Sequence, residues 1–425
     1  MTKDTDHLGR PIVAVTGMGV LTSLGQGQAD NWKALTAGIS GIRRISRFPV
    51  DGLRTTIAGT VDFVPVKDPS PPARSQTLAE LVVEEALAEA GIGRMGDFPG
   101  PLFLALPPVE LEWTQRLAMA AASGANDAVT YDDLLRVAGG GSFEPYHRRF
   151  LFGSVAEALA DRFGTKGSPI ATSTACASGG TAIQLGVEAI RRGETDVALV
   201  VGTDSSVNPE SLIRFSLLSA LSTRNEPPSS ASRPFSKDRE GFVMAEGAGA
   251  LVLESLQSAR ARGATVLGLV EGCGEVADGF HRTRSSPDGK PIIACMRNAL
   301  TDAGLEPEEV GYINAHGTST PENDKMEWIG VSAVFGERAG SIPMSSNKSM
   351  IGHSLTAAGA VEAIFSLLTI RNGVLPPTIN YDTPDPLLPV DCVPNVARIA
   401  NVRHVISNSF GFGGQNVCLV LGAAE

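Results

Sequence analysis

The segment from residue 168 to residue 202 constrains the fold more than any other part of this 425-residue chain. Residues 168–172 read as a short strand that leads into Ser173-Thr174-Ala175-Cys176-Ala177-Ser178-Gly179-Gly180. Behind it, Ala182, Ile183, Leu185, Val187, Ala189 and Ile190 give residues 177–192 the pattern of a buried helix, with Gly193 as its stop. Residues 196–202 (DVALVVG) are almost continuously apolar, as in a sheet covered on both faces. Strand, turn, helix, strand is a βαβ unit, so the sheet is parallel or mixed there. Cys176 falls at the helix N-terminus, where unsatisfied amides and the positive end of the dipole favour a thiolate. A buried structural cysteine is the commoner role for an arbitrary cysteine. Small neighbours, two histidine motifs downstream and a late glycine-rich turn point here to a nucleophile.

The same alternation runs through the rest of the chain. Residues 11–25 read as a buried strand that breaks into a loop at Gly17 and Gly19, 65–74 as a proline-rich loop, and 76–90 as a helix. A strand at 102–106 precedes a weakly patterned stretch of about 107–150, read as an insertion with one helix at 113–122; a helix at 154–163 follows. The second half repeats the grammar, with strands at 310–315 and 405–408 and a buried helix at 357–371. In that helix Ala360-Val361-Glu362-Ala363-Ile364 echoes Gly186-Val187-Glu188-Ala189-Ile190, and both helices close at glycine, which suggests an internal duplication. The division expected is 1–265 for the half with the nucleophile and 266–425 for the half with the histidines.

Two histidines stand in tight turns just past apolar elements, His316 in NAHGTSTP and His353 in NKSMIGH. Lys348 shares the second loop, and glycines flank Phe412 in NSFGFGG, where backbone amides can turn toward a cavity. His7, His147 and His404 read as structural or surface residues, and His281 is open. A thiolate with two neutral imidazoles suits carbon–carbon bond formation through an enolate. The sulfur carries an acyl group, and the imidazoles stabilise the charge that appears when a malonyl thioester loses carbon dioxide.

Composition narrows the partners. A net charge of −11 argues against nucleic acid and anionic membrane. Five cysteines without CxxC spacing suggest neither a disulfide framework nor a zinc site, and no metal is expected. No apolar run is long enough to span a bilayer and the first residues lack a signal-type core, so the expected location is the cytoplasm.

TACAS at Cys176, NAHGTSTP, NKSMIGH and NSFGFGG, with STRN at 222–225, SRPF at 232–235, DREGFVMAEGAG and PPTIN at 376–380, closely resemble the β-ketoacyl-acyl carrier protein synthases, the type II elongating condensing enzymes. The resemblance implies an α/β thiolase-like fold, five layers αβαβα built from two similar halves, working as a homodimer. It implies acyl transfer from acyl carrier protein to Cys176, then decarboxylation of malonyl-carrier protein near His316 and His353, giving a 3-oxoacyl-carrier protein in fatty acid elongation. By the same resemblance Lys348 and Glu362 support the histidines, the amides of Cys176 and Phe412 form an oxyanion hole, and the Phe412 ring gates the acyl pocket. Thr318 and Thr320 would hold the phosphopantetheine arm, with Thr283, Phe410 and Gly411 lining the substrate site. No redox or metal cofactor is implied; a structural monovalent cation is allowed. Three departures stand out: Pro321-Glu322-Asn323-Asp324, Arg284 after Thr283, and Ala105-Leu106-Pro107-Pro108 where relatives carry a glycine-rich turn. Arg43, Arg44, Lys67 and Arg74 are the basic candidates for carrier docking. The rival readings are a condensing enzyme of a specialised very-long-chain lipid or polyketide pathway and, from another class, a non-catalytic subunit that sets chain length.

Overall fold

The computed structural model describes residues 4–93, 96–125 and 128–424. The strands of its main sheet in chain order are β1 (Val13–Thr22), β2 (Leu102–Ala105), β3 (Ile170–Thr172), β4 (Val197–Asp204) and β5 (Gly247–Ser255), then β6 (Gly268–Ala277), β7 (Tyr312–Asn314), β8 (Met344–Ser345), β9 (His404–Phe410) and β10 (Gln415–Gly422). They lie side by side in the order β8-β7-β9-β10-β6-β1-β5-β4-β2-β3, and Gly25–Gln26 adds a short strand to β1. Outward from the centre, each set takes its first, fifth, fourth, second and third strand. The senses repeat as well. β1 with β5 and β6 with β10 are antiparallel, as are β4 with β5 and β9 with β10. β4 with β2, β9 with β7, β2 with β3 and β7 with β8 are parallel. One pattern used twice, joined where β1 pairs β6, is the two-halved thiolase-like architecture.

Six helices make the remaining layers: α1 (Pro71–Ala90), α2 (Ser154–Phe163), α3 (Ser178–Arg191), α4 (Lys290–Ala303), α5 (Pro321–Phe335) and α6 (Ala358–Asn372). α1 packs on β1, β5, β4 and α2; α4 packs on β6, β10 and α5; α3 and α6 touch each other and strands of both sets, so they form the middle layer. α6 is buried continuously from Ala358 to Thr369, which accounts for its lack of a polar face. Where α3 and α6 cross, a Cβ on Gly179 would lie 2.5 Å from the Ala360 amide nitrogen, and one on Gly359 would lie 2.4 Å from that of Gly180. Only glycine lets these backbones meet.

Four sequence expectations change. β1 runs through Gly17 and Gly19 without breaking, because α1 lies against it so closely that added Cβ atoms would fall 2.1 Å from the Ala86 oxygen and 1.9 Å from the Val82 oxygen. The loop expected to Arg74 ends at Ser70. Two of the four prolines that suggested a loop, Pro71 and Pro72, occupy the first turn of α1, where a missing N–H has no partner to lose. The 107–150 stretch is not irregular: it carries three short helices, Trp113–Ala122, Tyr131–Gly139 and Glu144–Arg149. The pentapeptide echo is out of register with the true repeat. It relates residues 174 apart, whereas the matching turns Ala175–Ala177 and Leu355–Ala357 and the stops Gly193 and Gly373 are 180 apart. Glu188 is therefore not the counterpart of Glu362: the former is partly exposed and the latter buried.

Candidate active site

Cys176 lies on a single 3₁₀ turn, Ala175–Ala177, at the head of α3. Ala175 there has φ of 50°, a left-handed conformation that costs a non-glycine residue about 1–2 kcal/mol. The turn is held because the Thr174 amide donates to Ser178 Oγ (2.8 Å), whose hydroxyl donates to the Ala175 carbonyl (2.6 Å). The Cys176 side chain is 8% exposed. Burial pushes its thiol up to about 11, against the pull of the Phe412 amide and the Lys348 charge. The helix N-terminus thus does not make a free thiolate at neutral pH; the resting nucleophile is a thiol.

His353 follows a one-turn helix, Lys348–Ile351, and its Nε2 lies 3.1 Å from Cys176 Sγ. The Leu355 amide donates to His353 Nδ1 at 3.3 Å, which leaves the ring hydrogen on Nε2, facing the sulfur. His316 enters from the end of β7. Its amide and that of Gly317 donate to the two carboxylate oxygens of Glu327 on α5 (2.8 and 2.7 Å), and Asn408 Nδ2 donates to one of them (2.9 Å). The imidazoles stand edge to face, with centroids 5.4 Å apart. Sγ of Cys176 and a ring nitrogen of each histidine all lie within 4.8 Å of one another. Burial lowers both histidines well below the usual value, and the Lys348 charge lowers them further, so both are neutral donors. Lys348 is itself buried and ion-paired with Glu362 of α6. Burial raises Glu362 to about 7 while Lys348 pulls it down.

Residues 11–259 match the family described as Beta-ketoacyl synthase, N-terminal domain, and residues 267–382 match Beta-ketoacyl synthase, C-terminal domain. The chain belongs to the β-ketoacyl synthase family. Among its relatives, the 3-oxoacyl-[acyl-carrier-protein] synthase 2 of Coxiella burnetii is 37% identical over 96% of this chain and 98% of that protein. The tetracenomycin polyketide synthase ketoacyl synthase alpha subunit of Streptomyces glaucescens is 36% identical, covering 96% of each. Among solved structures, a type II polyketide synthase acyl-carrier protein in complex with its ketosynthase bound to the hexaketide (AntDE:AntF) aligns with a TM-score of 0.85 and 32% identity, over 98% of this chain and 100% of that one. The ishigamide ketosynthase/chain length factor aligns at 0.81 and 35%, over 98% and 100%. The protein is an acyltransferase-type condensing enzyme.

In this β-ketoacyl synthase two cavities meet at Cys176. A narrow one of about 60 Å³ is lined by Thr283, Thr318, Thr320, Phe410, Gly411 and Phe412 with both histidines, and His281 and Arg284 stand on its wall. The other, about 650 Å³, is lined by Ala175, Ser206, Arg214, Phe215, Leu218, Leu355 and Glu110 among others. Phe412 borders both, as a gate would. Every residue expected at the site is therefore gathered there except Lys348 and Glu362, which sit behind the histidines. Arg74 is not available for docking: it is buried, with its guanidinium on Ser205 and Glu246. Arg43, Arg44 and Lys67 are exposed. His404 pairs with Glu271 at 2.7 Å, far from the chemistry, as expected of a structural residue. Sequence reading missed Glu327 and the Leu355 amide. An acid eleven residues past His316 carries no local signal, and a backbone donor carries none at all.

Proposed function

We propose that this β-ketoacyl synthase performs decarboxylative Claisen condensation between an acyl group on Cys176 and malonyl-acyl carrier protein, giving the 3-oxoacyl-carrier protein of fatty acid elongation. The observation that carries the reading is the convergence of Sγ and two neutral imidazoles in one buried pocket. The arm of the carrier thioester enters along the wall that carries Thr318 and Thr320, whose hydroxyls, 2.9 Å apart, offer it hydrogen bonds. Sulfur attacks its carbonyl, the carrier arm departs, and the Cys176 proton ends on the departing thiol. Malonyl-carrier protein then loses carbon dioxide. The Nε2 hydrogen of His353 and the ring N–H of His316 bond the enolate oxygen, and the carbanion attacks the Cys176 thioester. The amides of Cys176 and Phe412 hold the oxyanion until the thiolate is expelled and reprotonated.

The reading includes a homodimer, a cytoplasmic location, division of the two halves near residue 265 and docking of the carrier protein near Arg43, Arg44 and Lys67. No redox or catalytic metal cofactor is required. Asn314 Oδ1 and Glu362 Oε2 are buried with no hydrogen-bond partner among the described residues, and Asn314 Nδ2 donates to the Glu362 carbonyl. Such oxygen donors suit a hard cation, so a structural monovalent cation belongs there.

Purified protein incubated with acyl-carrier protein gains the acyl mass on Cys176, and Cys176→Ala abolishes both this and condensation. Cys176→Gln, a mimic of the thioester, keeps malonyl decarboxylation without condensing. His316→Ala and His353→Ala each slow decarboxylation by about 10²-fold or more. Absence of the Cys176 mass gain in the wild type would favour the non-catalytic subunit. A specialised pathway is favoured by one feature: the lining of the larger cavity includes Ser206, Ser211, Arg214 and Glu110, polar groups to which an oxygenated chain can hydrogen-bond and a saturated one cannot. A panel of saturated and oxygenated acyl-carrier proteins, scored by product mass, separates the two pathways.

A further inference from the structure

The repeat that places Cys176 also builds a second copy of its surroundings. Thr356 occupies the position of Cys176 in the turn Leu355–Ala357, and Leu355 has φ of 46° where Ala175 has 50°. Each turn packs at the end of a strand from the other half, Ala175–Ala177 on β9 and Leu355–Ala357 on β4. Ser206 stands two residues past the end of β4, as Phe412 stands two past the end of β9. The amides of Thr356 and Ser206 are thus the counterparts of the amide pair at Cys176 and Phe412. In the second copy both are already taken. The Ser206 amide donates to Asp204 Oδ1 (2.9 Å) and the Thr356 amide to Oδ2 (3.2 Å). The Thr356 hydroxyl lies 2.7 Å from Oδ2 and 2.9 Å from the Thr203 carbonyl.

We propose that Asp204 is a positioning residue for His353: its carboxylate fills this relic amide pair and so fixes the Leu355–Ala357 turn, whose Leu355 amide sets the tautomer of His353. Asp204 is fully buried, and a buried carboxylate is costly unless its oxygens are bonded; here both are. Removing it strands the Thr356 amide inside the protein and frees a turn held in a left-handed conformation to relax. The Leu355 amide then leaves Nδ1, the imidazole hydrogen distributes over both nitrogens, and Nε2 no longer offers a hydrogen to the enolate every time. The effect falls on decarboxylation, which needs that hydrogen. Acyl transfer to Cys176 is not slowed: its amides lie in the other copy, and loss of the Asp204 charge, which pushes the Cys176 thiol up, favours the thiolate.

This inference rests on the proposed condensation, and the test keeps the two apart. In the full-length protein, Asp204→Asn retains shape but offers one acceptor oxygen for two amides. It should slow carbon dioxide release from malonyl-carrier protein about tenfold to a hundredfold, with Cys176 acylation, scored by mass, within about threefold of wild type. Thr356→Val keeps the amide–carboxylate bond and should slow release by no more than about threefold. The ¹⁵N shifts of the His353 ring, read without substrate, should show a single Nε2–H tautomer in the wild type and a mixture in Asp204→Asn. Unchanged shifts in Asp204→Asn overturn the proposal, as does an equal loss of acylation and decarboxylation. A wild type that never decarboxylates malonyl-carrier protein would sink the condensation reading and leave the tautomer result standing.

Discussion

Cys176 shows how burial and reactivity oppose each other in one side chain. With its thiol raised to about 11, the reactive thiolate fraction grows tenfold for each pH unit below that value. Alkylation of Cys176 by iodoacetamide should therefore climb about tenfold per unit from pH 7 to 9 without levelling. A plateau below pH 8 would show that the Phe412 amide and the Lys348 charge outweigh burial. The other four cysteines are buried and are pushed up further by burial, and none lines a cavity at the site, so they should stay unmodified in the folded protein. The Lys348–Glu362 pair has a different balance. Both charges are enclosed, and deleting one leaves the other uncompensated. Lys348→Met should cost about 3–5 kcal/mol of stability, and Lys348→Met with Glu362→Leu should recover much of that loss. Decarboxylation should stay low in both, because the cation behind the histidines, which lowers them beyond what burial alone does, is gone. Chemical denaturation beside a carbon dioxide assay separates the two roles.

At the level of elements, the glycines of β1 carry a burden that those of the helix ends do not. Gly19 faces the α1 backbone with no room for a methyl group, whereas Gly193 has a positive φ and open space around it. Gly19→Ala should lose about 3 kcal/mol, the upper end of overpacking costs. Gly193→Ala should lose about 1 kcal/mol, the cost of a left-handed alanine. Urea midpoints of the two variants test the contrast. The same glycines show what local sequence can and cannot convey. At 197–204 and 358–372, apolar runs bounded by turn residues, the strand and the helix were legible within two residues. Gly17 and Gly19 were misread because their reason lies in α1, some sixty residues on. The start of α1 was misread because proline has opposite meanings in a loop and in a first turn. The duplication was legible as grammar, but its register was not, since a repeat preserved in strand order and turn geometry need preserve few residues. At the site, the motifs carried Cys176, His316 and His353. Groups that act through the backbone or from a distant helix, such as Leu355, Glu327 and Asp204, became visible only in three dimensions.

For the whole molecule, the strand order leaves one edge exposed. β3 pairs with β2 alone and ends the sheet on that side, and Ile170 at its start is 46% exposed. An open edge with an apolar side chain invites another strand. Leu151, Phe152, Leu217 and Leu218 are also exposed apolar residues, Leu217 to 80%. Phe215 and Leu218, in the segment leading up to and past Leu217, line the larger cavity beside Cys176. Ser173 and Thr174, just past β3, share the wall of that cavity with Phe215 and Leu218, so a second copy seated on this edge and reaching Leu218 would cover apolar surface and close the wall together. Ile170→Lys places a charge on the edge, and Leu217→Glu places one at the end of the helix Pro209–Leu217; neither residue lines the cavity. Each should shift the protein from dimer to monomer in sedimentation at micromolar concentration. Each should also slow condensation with long acyl chains more than with short ones, because only a long chain reaches the wall that a second copy would complete. Dimers that persist in both variants would place the interface elsewhere. Monomers with an unchanged chain-length profile would show that the cavity is complete within one subunit.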